Sequence, residues 1–148
     1  MINNDVIRAL RYILKVSEFQ LVEIAELGGG VVTQSQMNAY MKAEDEPGFE
    51  PCPQNLMARF LNGLIIFKRG KDESRPPLAP ELPNNNVVLK KLRVAFSLKD
   101  DDIVQLLEGV GFKISKTELS ALFRKEGHPN YRVCGDQLLR NFLKALAN

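Results

Sequence analysis

Residues 3–11, NNDVIRALR, return at residues 85–93 as NNVVLKKLR, and that recurrence decides the fold. Sliding the chain by 82 places carries the register, without a gap, as far as Leu64 on Leu146. Further identities fall at Val22/Val104, Glu26/Glu108, Gly29/Gly111, Ala39/Ala121, Glu44/Glu126, Pro47/Pro129, Cys52/Cys134, Leu56/Leu138, Phe60/Phe142 and Leu61/Leu143. Unrelated segments of this length and of ordinary composition would share only about four. The chain is a tandem duplication.

Working outward from the Asn pair, helical periodicity and capping residues divide each repeat into four helices. The first follows Asn4 or Asn86, read as N-caps, with Val6, Ile7, Leu10, Ile13 and Leu14 at helical spacing and Val88, Leu89, Leu92, Ala95 and Phe96 matching them. The second starts at Ser17 with Gln20 as a capping box, and its counterpart starts in the run Asp100, Asp101, Asp102. Those carboxylates complement the positive end of a helix, and the further oxygen ligands of a calcium loop are absent, so no metal is expected. Gly28, Gly29 and Gly30 end the helix in repeat one, and Gly109 and Gly111 do so in repeat two. With no strand before them and no Lys-Ser/Thr after, the glycines do not make a phosphate loop.

Capping boxes at Thr33/Gln36 and Ser115/Glu118 open the third helices. Met37, Tyr40 and Met41, matched by Leu119, Leu122 and Phe123, form their inner stripe. The fourth helices carry the best-kept apolar face, Leu56, Phe60, Leu61 and Leu64 against Leu138, Phe142, Leu143 and Leu146. The fold class is therefore all-α, two tandem four-helix repeats with pseudo-symmetry, joined by a proline-rich linker. The expected boundaries are residues 1–67 for helical repeat one, 68–86 for the linker and 87–148 for helical repeat two. Pro76, Pro77, Pro80 and Pro83 make the linker an extended strap, and Gly70 is placed to end the helix before it. A unit of half this length is marginal alone, so the repeats are expected to pack as one body.

The segment FLNGLIIFKRGKDES (residues 60–74), followed by NNNVVLKKLRVAFSLKDDDI (residues 84–103), resembles the YehS-like family of small bacterial proteins, a duplicated domain of unknown function. The resemblance covers essentially the whole chain. It implies a cytoplasmic bacterial protein and brings no activity, cofactor or site residue with it.

Composition excludes more than it selects. No apolar run approaches the roughly 18 residues of a membrane span, and the N-terminus lacks the pattern of a secretory signal, so a soluble, cytoplasmic protein is expected. Cys52 and Cys134 lack metal or disulfide spacing and read as small buried residues. Charge is uneven: residues 1–67 carry five Lys/Arg against eight Asp/Glu, net −3, and residues 87–148 carry eleven against seven, net +4. The halves have diverged electrically, which suits either mutual docking or an anionic partner of repeat two.

No residue set specifies a reaction, and no cofactor is expected. The one histidine, His128, lies in a loop six residues before Cys134; its counterpart is Glu46, so an enzyme using His128 is the third choice. Arg11 and Arg93, with Glu26/Glu108 and Glu44/Glu126, are expected to form internal ion pairs. A non-catalytic module binding a protein partner is the first expectation, because duplicated helical units without a catalytic constellation work through surfaces. The alternative is nucleic-acid binding through the third helix of repeat two, where Lys113, Lys116, Ser120, Arg124 and Lys125 have the chemistry of phosphate and base contacts. Lys68, Arg69 and Lys71 form a second basic group, at the linker, which also suits the negative end of a helix.

Overall fold

A computed structural model describes all residues, Met1–Asn148, as eight helices and no strands. They are α1 (Asn3–Leu14), α2 (Glu18–Leu27), α3 (Gln34–Met41), α4 (Gln54–Arg69), α5 (Asn85–Ala95), α6 (Asp100–Gly109), α7 (Lys116–Leu122) and α8 (Asp136–Ala147). Each of the last four starts 82 places after its counterpart. Two compact units result, Met1–Pro83 and Asn84–Asn148.

The starts repeat because the local chemistry repeats. Ser17 accepts from the Gln20 N–H at 3.1 Å while Gln20 Oε1 takes the Ser17 N–H at 2.9 Å, and Thr33/Gln36 and Ser115/Glu118 do the same. In α6 the Lys99 N–H donates to Asp102 Oδ2 at 2.8 Å. The ends repeat too. Lys15 and Ser97, equivalent positions just after α1 and α5, both take left-handed φ, 55° and 53°, and Gly29 and Gly111 share φ 85° and 80°. Gly70 caps α4, as read from the sequence.

The Asn pair does something other than cap. The N-cap of α1 is Ile2, and that of α5 is Asn84, whose Oδ1 accepts from the Val87 N–H at 2.9 Å. Asn4 is buried within the first turn, where Nδ2 donates to the carbonyls of Tyr40 (3.0 Å) and Glu50 (2.9 Å) and Oδ1 accepts from the Cys52 N–H at 2.9 Å. Asn86 makes the same three bonds, to Leu122, Arg132 and Cys134. Asn3 and Asn85 add a bond each to the carbonyls of Cys52 and Cys134. The pair thus pins the loop before the fourth helix, satisfying buried backbone groups that no helix serves.

Each unit closes over its own core. Ile7, Leu10, Leu21, Ile24, Met37, Met57, Phe60, Leu61 and Leu64 are fully buried in the first, and Leu89, Leu92, Ile103, Leu107, Leu119, Leu139 and Phe142 in the second. Met41, Phe123, Leu56 and Leu146, assigned to the inner stripes from periodicity, are only half-buried at the stripe edges. After Gly70 the linker makes one turn at residues 72–75, then runs without helix to Pro83 and is tied to α4. Asn62 Nδ2 donates to the carbonyl of Ala79 at 3.2 Å, and Gln54 Nε2 donates to that of Pro83 at 3.0 Å.

The units differ at one crossing. In the first, α2 meets α4 backbone to backbone at Gly28 and Gly63: a Cβ on Gly28 would overlap the Arg59 carbonyl oxygen, and one on Gly63 that of Ile24. The second unit has Val110 and Ala145 there, so α6 and α8 cannot approach as closely. They leave an open groove of about 460 Å³ of mixed lining, with apolar Leu98, Leu106, Val110 and Ala145 beside polar Asp102, Gln105 and Asn148.

Candidate functional site

The side chains singled out on the third helix of repeat two do share a surface. α7 buries Leu119 and Leu122 and turns Lys116, half-buried Ser120 and, just past its end, Arg124 outward. They line an open groove of about 770 Å³ whose other wall, Pro129 to Arg132, comes from the loop before α8. Lys113 and Lys125 are exposed beyond it.

The electrostatics of that groove are more balanced than its sequence suggests. Lys116 Nζ lies 2.6 Å from Asp101 Oδ1, and this hydrogen bond, with the carboxylate's charge, holds the ammonium pKa above its usual range. Arg132 Nη1 bonds Glu118 Oε2 at 3.0 Å, which, with the Ser115 bonds, holds the Glu118 carboxyl low. Arg93 lies 2.8 Å from Asp100 Oδ1 with its guanidinium over the Phe123 ring, 4.6 Å from the centroid. The carboxylates of the Asp100–Asp102 run each face a protein group, Asp100 the Arg93 guanidinium as an ion pair without hydrogen-bond geometry, Asp101 the Lys116 ammonium and Asp102 the Lys99 N–H. Arg124, Lys113 and Lys125 carry charge that no carboxylate offsets.

The matching face of α3 is tied up locally. Asn38 Nδ2 donates to Glu18 Oε1 at 3.1 Å and Lys42 Nζ to the Pro47 carbonyl at 3.1 Å. Of the basic group at the linker, Lys68 and Arg69 form the last turn of α4, and Lys71 lies 3.7 Å from Glu73 in the strap. The kept arginines pair as expected but with other partners: Arg11 with Glu18 at 3.2 Å and Arg93 with Asp100, equivalent positions at the starts of α2 and α6. Glu26, Glu108, Glu44 and Glu126 are exposed instead.

His128 is exposed, and its Nδ1 accepts from the Asn130 N–H at 3.0 Å. Cys134 lies buried, its Sγ 3.6 Å from the Gly135 carbonyl, so the two are not brought together as a nucleophile and base. Burial pushes the Cys134 thiol up to about 11 and the Cys52 thiol up to about 12. Both stay protonated at neutral pH and behave as core residues.

The sequence reading passed over one surface altogether. The outer face of α2 carries Phe19, 64% exposed, and Leu27, 47% exposed, two helical turns apart with Glu23 between them and Glu26 beside. Val31, 94% exposed, follows in the loop to α3. At the same positions repeat two has Asp101, Gly109 and Lys113. α6 is thus an internal control, the same helix with no apolar side chain at these three positions. The signal was present in the duplication itself, as positions where one copy is apolar and the other is not.

The fold and its two diverged faces define an all-α protein built from a duplicated four-helix unit. The chain belongs to the family described as "Protein of unknown function (DUF1456)", whose model matches residues 3–70 and again residues 85–148. It is 51% identical over 148 residues, 99% of this chain and 95% of the relative, to the "Uncharacterized protein YehS" of Escherichia coli (strain K12). No solved structure matches it. No helix is long and apolar enough to cross a membrane.

Proposed function

We propose that this chain is a cytoplasmic, non-catalytic interaction module that binds a protein partner through the outer face of α2. The observation that carries the reading is Phe19 and Leu27 standing in solvent on a face that the second copy of the same helix keeps polar. An exposed aromatic and a leucine on one rigid helix face have the character of interface anchors, and their desolvation by a partner would be favourable. Glu23 and Glu26 are exposed beside them on the same helix, so the fitting partner is apolar with a basic rim. The two free, buried thiols are consistent with a reducing compartment.

Phe19→Asp and Val31→Lys install the residues repeat two already tolerates at these places, so the fold should survive them. Affinity capture with the full chain at physiological salt is expected to retain a protein partner that the Phe19→Asp chain retains at least about tenfold more weakly. His128→Ala is the unaffected control. A set of bound proteins unchanged by Phe19→Asp and Leu27→Glu would sink the α2 reading.

A second reading, an anionic polymer on α7, is favoured by the open groove and by the unpaired Arg124. It predicts DNA or RNA binding that falls steeply with salt, each neutralised phosphate contributing about 0.9 to the log–log slope. Arg124→Ala should then lower that slope by about one and Lys116→Ala by less, because Asp101 already serves as its counter-ion. A fluorescence titration at two salt concentrations that stays flat removes this reading.

A further inference from the structure

We infer that the nucleic acid taken by the α7 groove is single-stranded, with a base stacked on Tyr131 and a phosphate on Arg124. The inference rests on the reading of α7 as a surface for an anionic polymer and names the form of polymer that fits. The walls of the groove decide against a duplex. A helix with its side chains is about 10–12 Å across and by itself fills a major groove about 12 Å wide. α7 does not stand alone: Arg132 of the loop wall bonds Glu118 of α7 at 3.0 Å, so helix and loop present one joined, concave surface. That surface is too broad to enter the groove of a duplex. An unpaired strand can lie in it and, because the groove is open, continue beyond it.

The lining supplies the two contacts that an unpaired nucleotide can use. Tyr131 is half-buried in the loop wall, and an aromatic ring there takes any base by stacking, since every base has a π face. Arg124 is exposed just past the end of α7 and has no carboxylate partner. The other charges of the lining are matched within the protein: Asp100 by Arg93, Glu118 by Arg132 and Lys116 by Asp101. The surplus of the lining is one cation, enough to place one phosphate and too little for the long phosphate track of a duplex binder. Repeat one lacks these properties at the same positions. Its counterpart of Arg124 is Lys42, which donates to the Pro47 carbonyl at 3.1 Å and so joins the end of α3 to the following loop. Its counterparts of Lys116 and Arg132 are Gln34 and Glu50. Where the lining of repeat two has three cations and two carboxylates, the same positions of repeat one have one cation and two carboxylates. The electrical divergence of the repeats thus runs through this groove.

Fluorescence anisotropy of the full chain tests this with three labelled probes at low and at physiological salt: a mixed-sequence DNA strand, its RNA counterpart, and the DNA strand annealed to its complement. Both single strands are expected to bind at least about tenfold more tightly than the duplex, because only unpaired bases can stack. Tyr131→Ala should weaken single-strand binding at least about fivefold, and Tyr131→Phe, the residue repeat one carries here, should keep it. Tyr131→Leu fills the same place without a π face, so it should fail like alanine even if alanine disturbs the loop. Arg124→Ala should lower the log–log salt slope by about 0.7, the value of one phosphate of a single strand. Lys42→Ala, at the matching position of repeat one, is the unaffected control, and circular dichroism checks that each variant remains helical. Equal affinity for strand and duplex overturns the inference, and so does a preference for single strands that Tyr131→Leu leaves untouched. In either case a salt-dependent affinity lowered by Arg124→Ala keeps the reading of α7 as an anionic-polymer surface. Flat titrations with all three probes remove both.

Discussion

Gly63→Ala should destabilise the first unit by about 3 kcal/mol or more, lowering its Tm by over about 10 °C. The sign is a contest between two effects. Alanine is a better helix former than glycine by roughly 1 kcal/mol, and Gly63 lies inside α4, so propensity alone favours the substitution. Against it stands a Cβ that would overlap the Ile24 carbonyl oxygen, with the Gly28 nitrogen close behind. The obstruction is backbone on the facing helix, so no side chain can swing aside. α2 and α4 must separate, and Leu21, Ile24, Phe60 and Leu64 lose packing together. Two comparisons isolate the cause. Gly109→Ala, where a new Cβ meets nothing, should be neutral or slightly stabilising, and Ala145→Gly, the reverse change at the equivalent of Gly63, should lose only about 1 kcal/mol. Thermal or urea unfolding of the three variants gives the measurement. A Gly63→Ala chain as stable as the wild type would mean that α2 and α4 do not meet as described.

That glycine also marks how far the sequence could be read. Much of what is fixed within one helical turn was legible, the boxes at Ser17, Thr33 and Ser115 and the Gly70 stop, although the caps Ile2 and Asn84 stand two residues before the Asn4 and Asn86 that composition suggests. The duplication made the reading firmer, because Lys15 and Ser97 or Gly29 and Gly111 take the same backbone turn twice. What failed was the choice of partner beyond one helical turn, whether near or far along the chain. Asn4 has the composition of a cap, and only a contact 36 to 48 residues away shows it to be a clamp. Arg11 had several carboxylates within reach of the imagination and pairs with Glu18, the one nearest in space. The α7 surface was legible as a set of residue types but not as a field. Whether Lys116 faces a phosphate or a carboxylate depends on where Asp101 points, and periodicity does not give that. The α2 face escaped because the sequence does not say which apolar residues of that helix turn inward, and only burial separates Phe19 from Leu21.

Asn4→Ala is the other change with a large expected effect, about 3 kcal/mol of lost stability. Asn4 is 1% exposed, and its amide is spent completely: two donated hydrogen bonds hold the carbonyls of Tyr40 and Glu50, and one accepted bond holds the Cys52 N–H. Alanine deletes all three and leaves three backbone groups around a small void. A typical hydrogen bond contributes only about 1 kcal/mol net, but an orphaned buried group costs roughly 1–3 kcal/mol, so the loss is set by what is left behind rather than by the bonds themselves. The three are not additive, since the loop 50–53 can shift and admit water once Asn4 releases it. That shift identifies the mechanism. If Asn4 is a clamp between α1 and the approach to α4, the variant should expose Cys52, whose buried thiol resists alkylation in the wild type. Faster modification of Cys52 than of Cys134 in Asn4→Ala, and the opposite order in Asn86→Ala, is the expected pattern, because each asparagine guards the cysteine of its own repeat. If both cysteines instead reacted at the wild-type rate in both variants, and stability fell by less than about 1 kcal/mol, the Asn pair would be an ordinary pair of first-turn residues. The clamp would then not be the reason that both repeats carry it.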